Sequence, residues 1–161
     1  MGSYLSTFEH ELTHALFAWL TLHEVTGLSV TWRSGGQCTF RGSGGGNWLI
    51  AIAPYWVPTL TIPLMIYQYV TGQQSHVTQC LIGITSAYHL TSTWRETHLK
   101  QPDLQQTGFV FALLFLPTAN VLVYGFVTIS SICGIEAGAQ FVHQVVNDTL
   151  GWATECLSRL S

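Results

Sequence analysis

The hydrophobic and polar positions of this chain change period several times along its length. Residues 5 to 22, LSTFEHELTHALFAWLTL, predict a helix whose first half carries ionisable groups and whose second half is apolar, with Ser6 or Thr7 placed to cap its start. In residues 28 to 41, LSVTWRSGGQCTFR, alternating β-formers flank Ser34-Gly35-Gly36, which predicts a β-hairpin followed by the flexible connector GSGGGNW. Residues 48 to 70 carry no charge. As a single helix they would run about 34 Å, enough to cross a bilayer. Pro54, Pro58 and Pro63 predict kinks in that span. Residues 76 to 94 predict another helix, with Thr85, His89 and Thr93 recurring at i+4 on a polar side. Residues 108 to 133 are uncharged and form the clearest span, interrupted by Pro117 and Asn120. In residues 135 to 160, Val142, Val145, Val146, Leu150, Ala153, Leu157 and Leu160 share one face, which predicts an amphipathic helix on the bundle or in the membrane interface.

Composition strengthens the membrane reading. Charged residues make up 8% of the 161-residue chain, against about 25% in soluble domains. The expected architecture is an all-α, multi-pass helical bundle with a small β-hairpin after its first helix, forming one domain over residues 1–161 and embedded in a lipid bilayer. Arg33 and Arg41 follow the first segment, and Arg95 and Lys100 follow the third, so the positive-inside rule puts these two loops in the cytoplasm. The net charge of -3 and the lack of a basic patch exclude nucleic acid as a partner. Cys38, Cys80, Cys133 and Cys156 form no C-x-x-C pair, so neither a cysteine zinc site nor a disulfide framework is expected. No Lys or Arg precedes Arg33, so no cleavable signal peptide is expected. Trp32, Trp48, Tyr55, Trp56, Tyr67, Tyr69 and Trp94 cluster near segment ends and read as interface anchors.

The chemistry concentrates in FEHELTHALF, residues 8 to 17. Residues i and i+4 of a helix share a face, so His10 and His14 can offer two imidazole nitrogens to one Zn2+ ion. Glu11 lies beside them, placed to take a proton from a water acidified by the metal and to pass it to a leaving amine. Ionisable groups in a membrane helix are costly and mark function. A catalytic zinc needs a third protein ligand. His23 stands thirteen residues after His10, about 140° away around the helix. The stretch TWRETHLKQPDL, residues 93 to 104, offers Glu96, His98 and Asp103, although an Asp beside a helix start can also be a simple cap. Asn120 is a candidate substrate-binding amide or a partner for a carbonyl freed by Pro117, and His89 reads as a polar side chain facing the bundle interior.

HELTH, followed by TGLSVTWRSGG, a Gly-rich loop and NWLIAIAPYWVP, resembles the site-2 protease family of intramembrane zinc metalloproteases, and its small bacterial-type members in particular. The resemblance covers about residues 5 to 130 and implies a multi-pass protein of the bacterial cell membrane that cuts transmembrane or juxtamembrane segments of membrane protein substrates. It implies His10 and His14 as zinc ligands, Glu11 as the general base, and Asp103 in Gln101-Pro102-Asp103 as the third ligand. Thr13 and Leu104 stand where the family usually has Gly, and Gln101 where it has Asn. The hairpin would then clamp an unwound substrate by edge pairing. The alternative readings are a non-proteolytic zinc-binding membrane protein that holds a partner helix, a metal-free structural membrane protein, and a soluble zinc protease.

Overall fold

The computed structural model describes residues 3–32, 35–41, 47–98 and 101–159. Arg33, Ser34, the glycine run at 42–46, Lys100 and Leu160, which carried expectations above, lie outside the described residues. Helix α1 (Tyr4–Leu20) is capped by Ser3, whose Oγ accepts from the Ser6 N–H at 3.2 Å; Ser6 and Thr7 lie inside the helix and do not cap it. Its end is a reversal. Leu22 takes a left-handed backbone with φ 61°, and the His23 N–H donates back to the Ala18 carbonyl at 2.7 Å.

That reversal returns the chain along α1 as strand β1 (Glu24–Thr31), which pairs antiparallel with β2 (Gly35–Arg41). The register runs from Glu24 opposite Arg41 to Thr31 opposite Gly35, with an irregularity between Val25 and Gly27. The hairpin therefore begins earlier than the β-rich residues suggested, and Gly35 and Gly36 belong to the strand rather than to the turn. The sheet lies against α1, where the Tyr4 and Trp32 rings stack at 4.6 Å.

Residues 48 to 70 do not form one helix, contrary to the expected span. They divide into α2 (Trp48–Ile52), a 3-10 turn at Ala53–Tyr55, a non-helical stretch and α3 (Ile62–Thr71). The prolines give the reason: each removes a main-chain donor and clashes with the preceding turn, so only Pro63, in the first turn of α3, is compatible with a continuing helix. Helix α3 is about 15 Å long, half the thickness of a bilayer's hydrocarbon core. The break is stitched by hydroxyls, with Thr13 Oγ1 2.5 Å from Thr59 Oγ1 and Thr61 Oγ1 donating to Thr85 Oγ1 at 3.0 Å.

Helix α4 (His76–Glu96) is capped by Ser75. It is followed by a short helix the periodicity did not reveal, α5 (Pro102–Thr107), and by α6 (Phe109–Cys133) and α7 (Ile135–Ser158). Gly125 and Gly138 let α6 and α7 approach closely, because a Cβ on either would collide with Phe141 or Ser130. The result is a mostly helical protein with one small antiparallel sheet. Among the described residues, α6 is the one helix long and apolar enough to cross a membrane, and little of it is buried. A compact apolar cluster of Ile52, Tyr55, Leu104 and Ala112, extended by Trp56, Phe115 and Leu116, locks α2, α5 and the start of α6 together. Burying each large side chain of this kind stabilises by about 1.5–3 kcal/mol.

Candidate metal centre

The one-turn spacing of His10 and His14 on α1 puts both rings on one side of the helix, edge to face with centroids 4.8 Å apart. Opposite them stands Asp103, in the first turn of α5, where Pro102 fixes the start of the helix. Its Oδ2 lies 3.3 Å from His10 Nε2 and 3.6 Å from His14 Nε2. One donor atom from each of the three residues falls within a 4.8 Å group. Ligand bonds of about 2.0–2.1 Å in a tetrahedron separate donors by about 3.3 Å, so the donor set suits zinc in its chemistry and its two His–Asp separations lie near that spacing.

Neighbours set which nitrogen of each ring faces the group. His14 Nδ1 lies 2.8 Å from the Ile50 carbonyl, so it carries a proton and turns Nε2 towards Asp103. The Ile50 carbonyl is free to accept because its partner in a regular helix would be the N–H of residue 54, a proline. On the far side of His10, Nδ1 lies 3.9 Å from Glu96 Oε2, while the other Glu96 oxygen accepts from the Ser6 hydroxyl. Glu96, one of the candidate third ligands, thus sits behind the ring rather than in front of it. His98 lines the cleft but contributes no atom to the donor group.

Two further contacts were not foreseen. The Tyr55 hydroxyl donates to Asp103 Oδ2 at 3.4 Å, and its ring stands edge-on to His10 at 5.4 Å. Tyr55 is only 1% exposed, so it is a buried part of the centre rather than the interface anchor its place near a segment end suggested. Asn120 lies away from the centre on α6; its Nδ2 donates to the Tyr55 carbonyl at 3.1 Å and to the Leu116 carbonyl at 2.8 Å, and it does not line the cleft. The carbonyls it satisfies are not the one Pro117 frees, which is four residues back at Leu113. His89 is buried between the Tyr124 hydroxyl, 2.5 Å away, and the Pro54 carbonyl, 3.0 Å away, so its ring bridges α6 to the broken segment. His23 bonds locally to Thr21. A signal for Tyr55 was present in the sequence, as a phenol beside a proline within an uncharged run.

Glu11 is 8% exposed and faces β2, where Gly36 leaves room for it. Burial raises its carboxyl pKa above the usual range, against the lowering effect of His10 and His14. Burial also opposes the charge on Asp103, but the hydrogen bond with His10 and the nearby His14 ring outweigh it and hold that carboxyl well below its ordinary value. The His14 ring is disfavoured as a cation by burial, yet contact with Asp103 raises its pKa overall. The neighbouring Glu9 turns the other way: it accepts from the Leu60 N–H at 3.1 Å, anchoring α1 to the non-helical stretch, and burial pushes it up to about 7. The group lies in a cleft of about 1160 Å³ between α1, β2, α2, the end of α4 and α5.

A largely helical chain that gathers H-E-x-x-H and a distant aspartate beside an apolar span has the make-up of a membrane-embedded metallopeptidase. A family model described as Peptidase M50B-like matches residues 1–132. The chain therefore belongs to the M50B-like peptidases, the site-2 protease family, whose members are membrane-embedded zinc metalloproteases. No curated protein and no solved structure matches it.

Proposed function

We propose that this protein is a zinc-dependent intramembrane endopeptidase that hydrolyses peptide bonds of membrane protein substrates, with His10, His14 and Asp103 holding the metal and Glu11 as general base. The observation that carries the reading is the convergence of the three donor side chains from α1 and α5 with Glu11 beside them at the floor of one cleft. Zinc, when bound there, supplies a Lewis acid that acidifies water to a pKa of about 7. Glu11, kept basic by burial, takes the proton of the attacking water on its carboxylate and passes it to the leaving amine nitrogen. The Ile50 carbonyl and Glu96 hold the two imidazoles in register, and Tyr55 orients Asp103. Gly36, Gln37 and Cys38 of β2 line the cleft, which supports the hairpin as an edge strand that holds an extended substrate.

The membrane reading extends to a multi-pass bundle in which α4 accompanies α6 across the bilayer and α3 reaches partway. It is supported by the large apolar side chains these helices expose, among them Ile66, Val70, Leu81, Ile84, Leu113 and Leu114. The test is zinc content per chain in wild type, His14→Ala and Asp103→Ala, followed by cleavage with Glu11→Gln. We expect one zinc per chain in the wild type, its loss in both ligand variants, and a zinc-loaded but inactive Glu11→Gln. A metal-replete wild-type protein without zinc would refute the proposal.

A further inference from the structure

We infer that His89 and Tyr124 are positioning residues of the metal centre, through which the apolar span α6 sets where the donor side chains stand; this rests on the zinc reading above and adds to it. Neither residue lines the cleft, and neither hydrogen-bonds a donor residue. Both act through residues 50 to 55. This short stretch supports two of the three donor side chains. Its Ile50 carbonyl lies 2.8 Å from His14 Nδ1, and its Tyr55 hydroxyl donates to Asp103 Oδ2 at 3.4 Å.

Two further carbonyls of the stretch are held by other helices. That of Pro54 lies 3.0 Å from His89 Nε2, and that of Tyr55 accepts from Asn120 Nδ2 at 3.1 Å. A carbonyl only accepts, so His89 Nε2 carries a proton, and the Tyr124 hydroxyl meets the other ring nitrogen at 2.5 Å. Asn120 and Tyr124 stand one turn apart on α6 and share a face of it. Together they grip consecutive carbonyls, Asn120 directly and Tyr124 through His89.

The surroundings make these bonds decisive for position. Counting from Phe109, Asn120 and Tyr124 are the twelfth and sixteenth of the 25 residues of α6, in the middle of the span. His89 is 2% exposed, so water does not replace a partner it loses. The Pro54 carbonyl has no helical alternative, because the N–H that would meet it belongs to position 58, a proline. Without the imidazole, held in place by Tyr124, a buried acceptor is left unpaired and the turn Ala53–Tyr55 moves to satisfy it. Tyr55 moves with the turn, and its hydroxyl leaves Asp103.

The test uses the full chain in lipid vesicles and two readouts that need no turnover. One is zinc affinity by competitive chelator titration; the other is the visible absorption spectrum with cobalt in place of zinc, which reports donor geometry. His89→Leu should weaken zinc binding about tenfold and Tyr124→Phe at least about threefold, each with an altered cobalt spectrum. His89→Gln keeps a donor and an acceptor and should recover most of the affinity that His89→Leu loses. The control is Thr61→Val. Thr61 is 1% exposed and its hydroxyl also ties the broken segment to α4, at Thr85, but beyond the turn. It should lower thermal stability and leave zinc affinity and the cobalt spectrum as in wild type. Tyr124→Phe decides the matter if His89→Leu does not fold. Unchanged affinity and spectrum in Tyr124→Phe, or an equal loss of affinity in Thr61→Val, would overturn the inference and leave the zinc reading standing. A wild type that takes up neither metal would remove the zinc reading and the inference with it.

Discussion

Gly36 gives the sharpest test of how the hairpin serves the site. Its backbone is not in the left-handed region, so glycine is required there for space alone. A Cβ built on Gly36 would lie 2.8 Å from Thr7 Cγ2 and 2.9 Å from Glu11 Oε1, and would also overlap Glu11 Cγ. Carbon contacts are comfortable from about 3.5 Å, so Gly36→Ala must displace either β2 or the Glu11 side chain by the order of 1 Å. A misplacement of that size costs about 100-fold in rate, or about 2.7 kcal/mol of transition-state stabilisation. The three atoms nearest that Cβ belong to Thr7 and Glu11 and not to a donor residue, so zinc content should not change. The measurement is kcat/KM on a fluorogenic peptide alongside zinc per chain. Thr7→Ser, which removes the Cγ2 overlap, should restore part of the activity to Gly36→Ala. Gly27→Ala on the same hairpin is the control: its Cβ meets only the rotatable Thr39 hydroxyl at 2.8 Å, and activity should fall less than about threefold. Unchanged activity in Gly36→Ala, or loss of activity together with zinc, would refute the reasoning.

Tyr55→Phe removes a hydroxyl that donates to the Asp103 carboxylate and should weaken zinc binding about tenfold in a competitive chelator titration, leaving thermal stability near that of wild type. Pro54→Ala returns an N–H that competes for the Ile50 carbonyl, so His14 loses its orienting partner; zinc affinity should again fall about tenfold, and an unchanged affinity would show that the carbonyl does not fix the ring. Asn120→Ala leaves the Tyr55 carbonyl without its side-chain donor and should destabilise by about 1–3 kcal/mol in unfolding. A raised KM with unchanged stability would instead make Asn120 a substrate-binding residue.

What could be read from the sequence divides by range. The pairing of His10 with His14 depends only on helical spacing and was legible from five residues. Asp103 lies 89 positions beyond His14 (103 − 14), and only the likeness of Gln101-Pro102-Asp103 to a family motif singled it out from Glu96 and His98. The side of His10 that Glu96 takes depends on how the end of α4 docks on α1, which no local pattern encodes. The hairpin's early start was hidden because Glu24 to Gly27 is too polar and too short to alternate visibly. Thr13, in place of the family's usual Gly, is explained only in three dimensions: it is fully buried, and its hydroxyl donates to the Glu9 carbonyl at 2.7 Å and lies 2.5 Å from Thr59 Oγ1.

The error over residues 48 to 70 is the instructive one, because the feature mistaken for a kink builds the centre. A proline at position i removes the N–H that would engage the carbonyl at i−4. Pro54 thereby frees the Ile50 carbonyl, and His14 takes it. Pro58 frees the Pro54 carbonyl, and His89 takes that. Each carbonyl that the broken helix could not satisfy is thus met by an imidazole from a neighbouring helix, which removes the cost of an unpaired buried acceptor and fixes the ring's tautomer together. The same break takes Tyr55 off the α-helical path so that its hydroxyl reaches Asp103 while its carbonyl meets Asn120. A straight span over these residues would cross the bilayer more cheaply, but its carbonyls would be consumed internally and His14 would have no fixed acceptor. Apolar length along the sequence records the first of these properties, and the spacing of the prolines records the second.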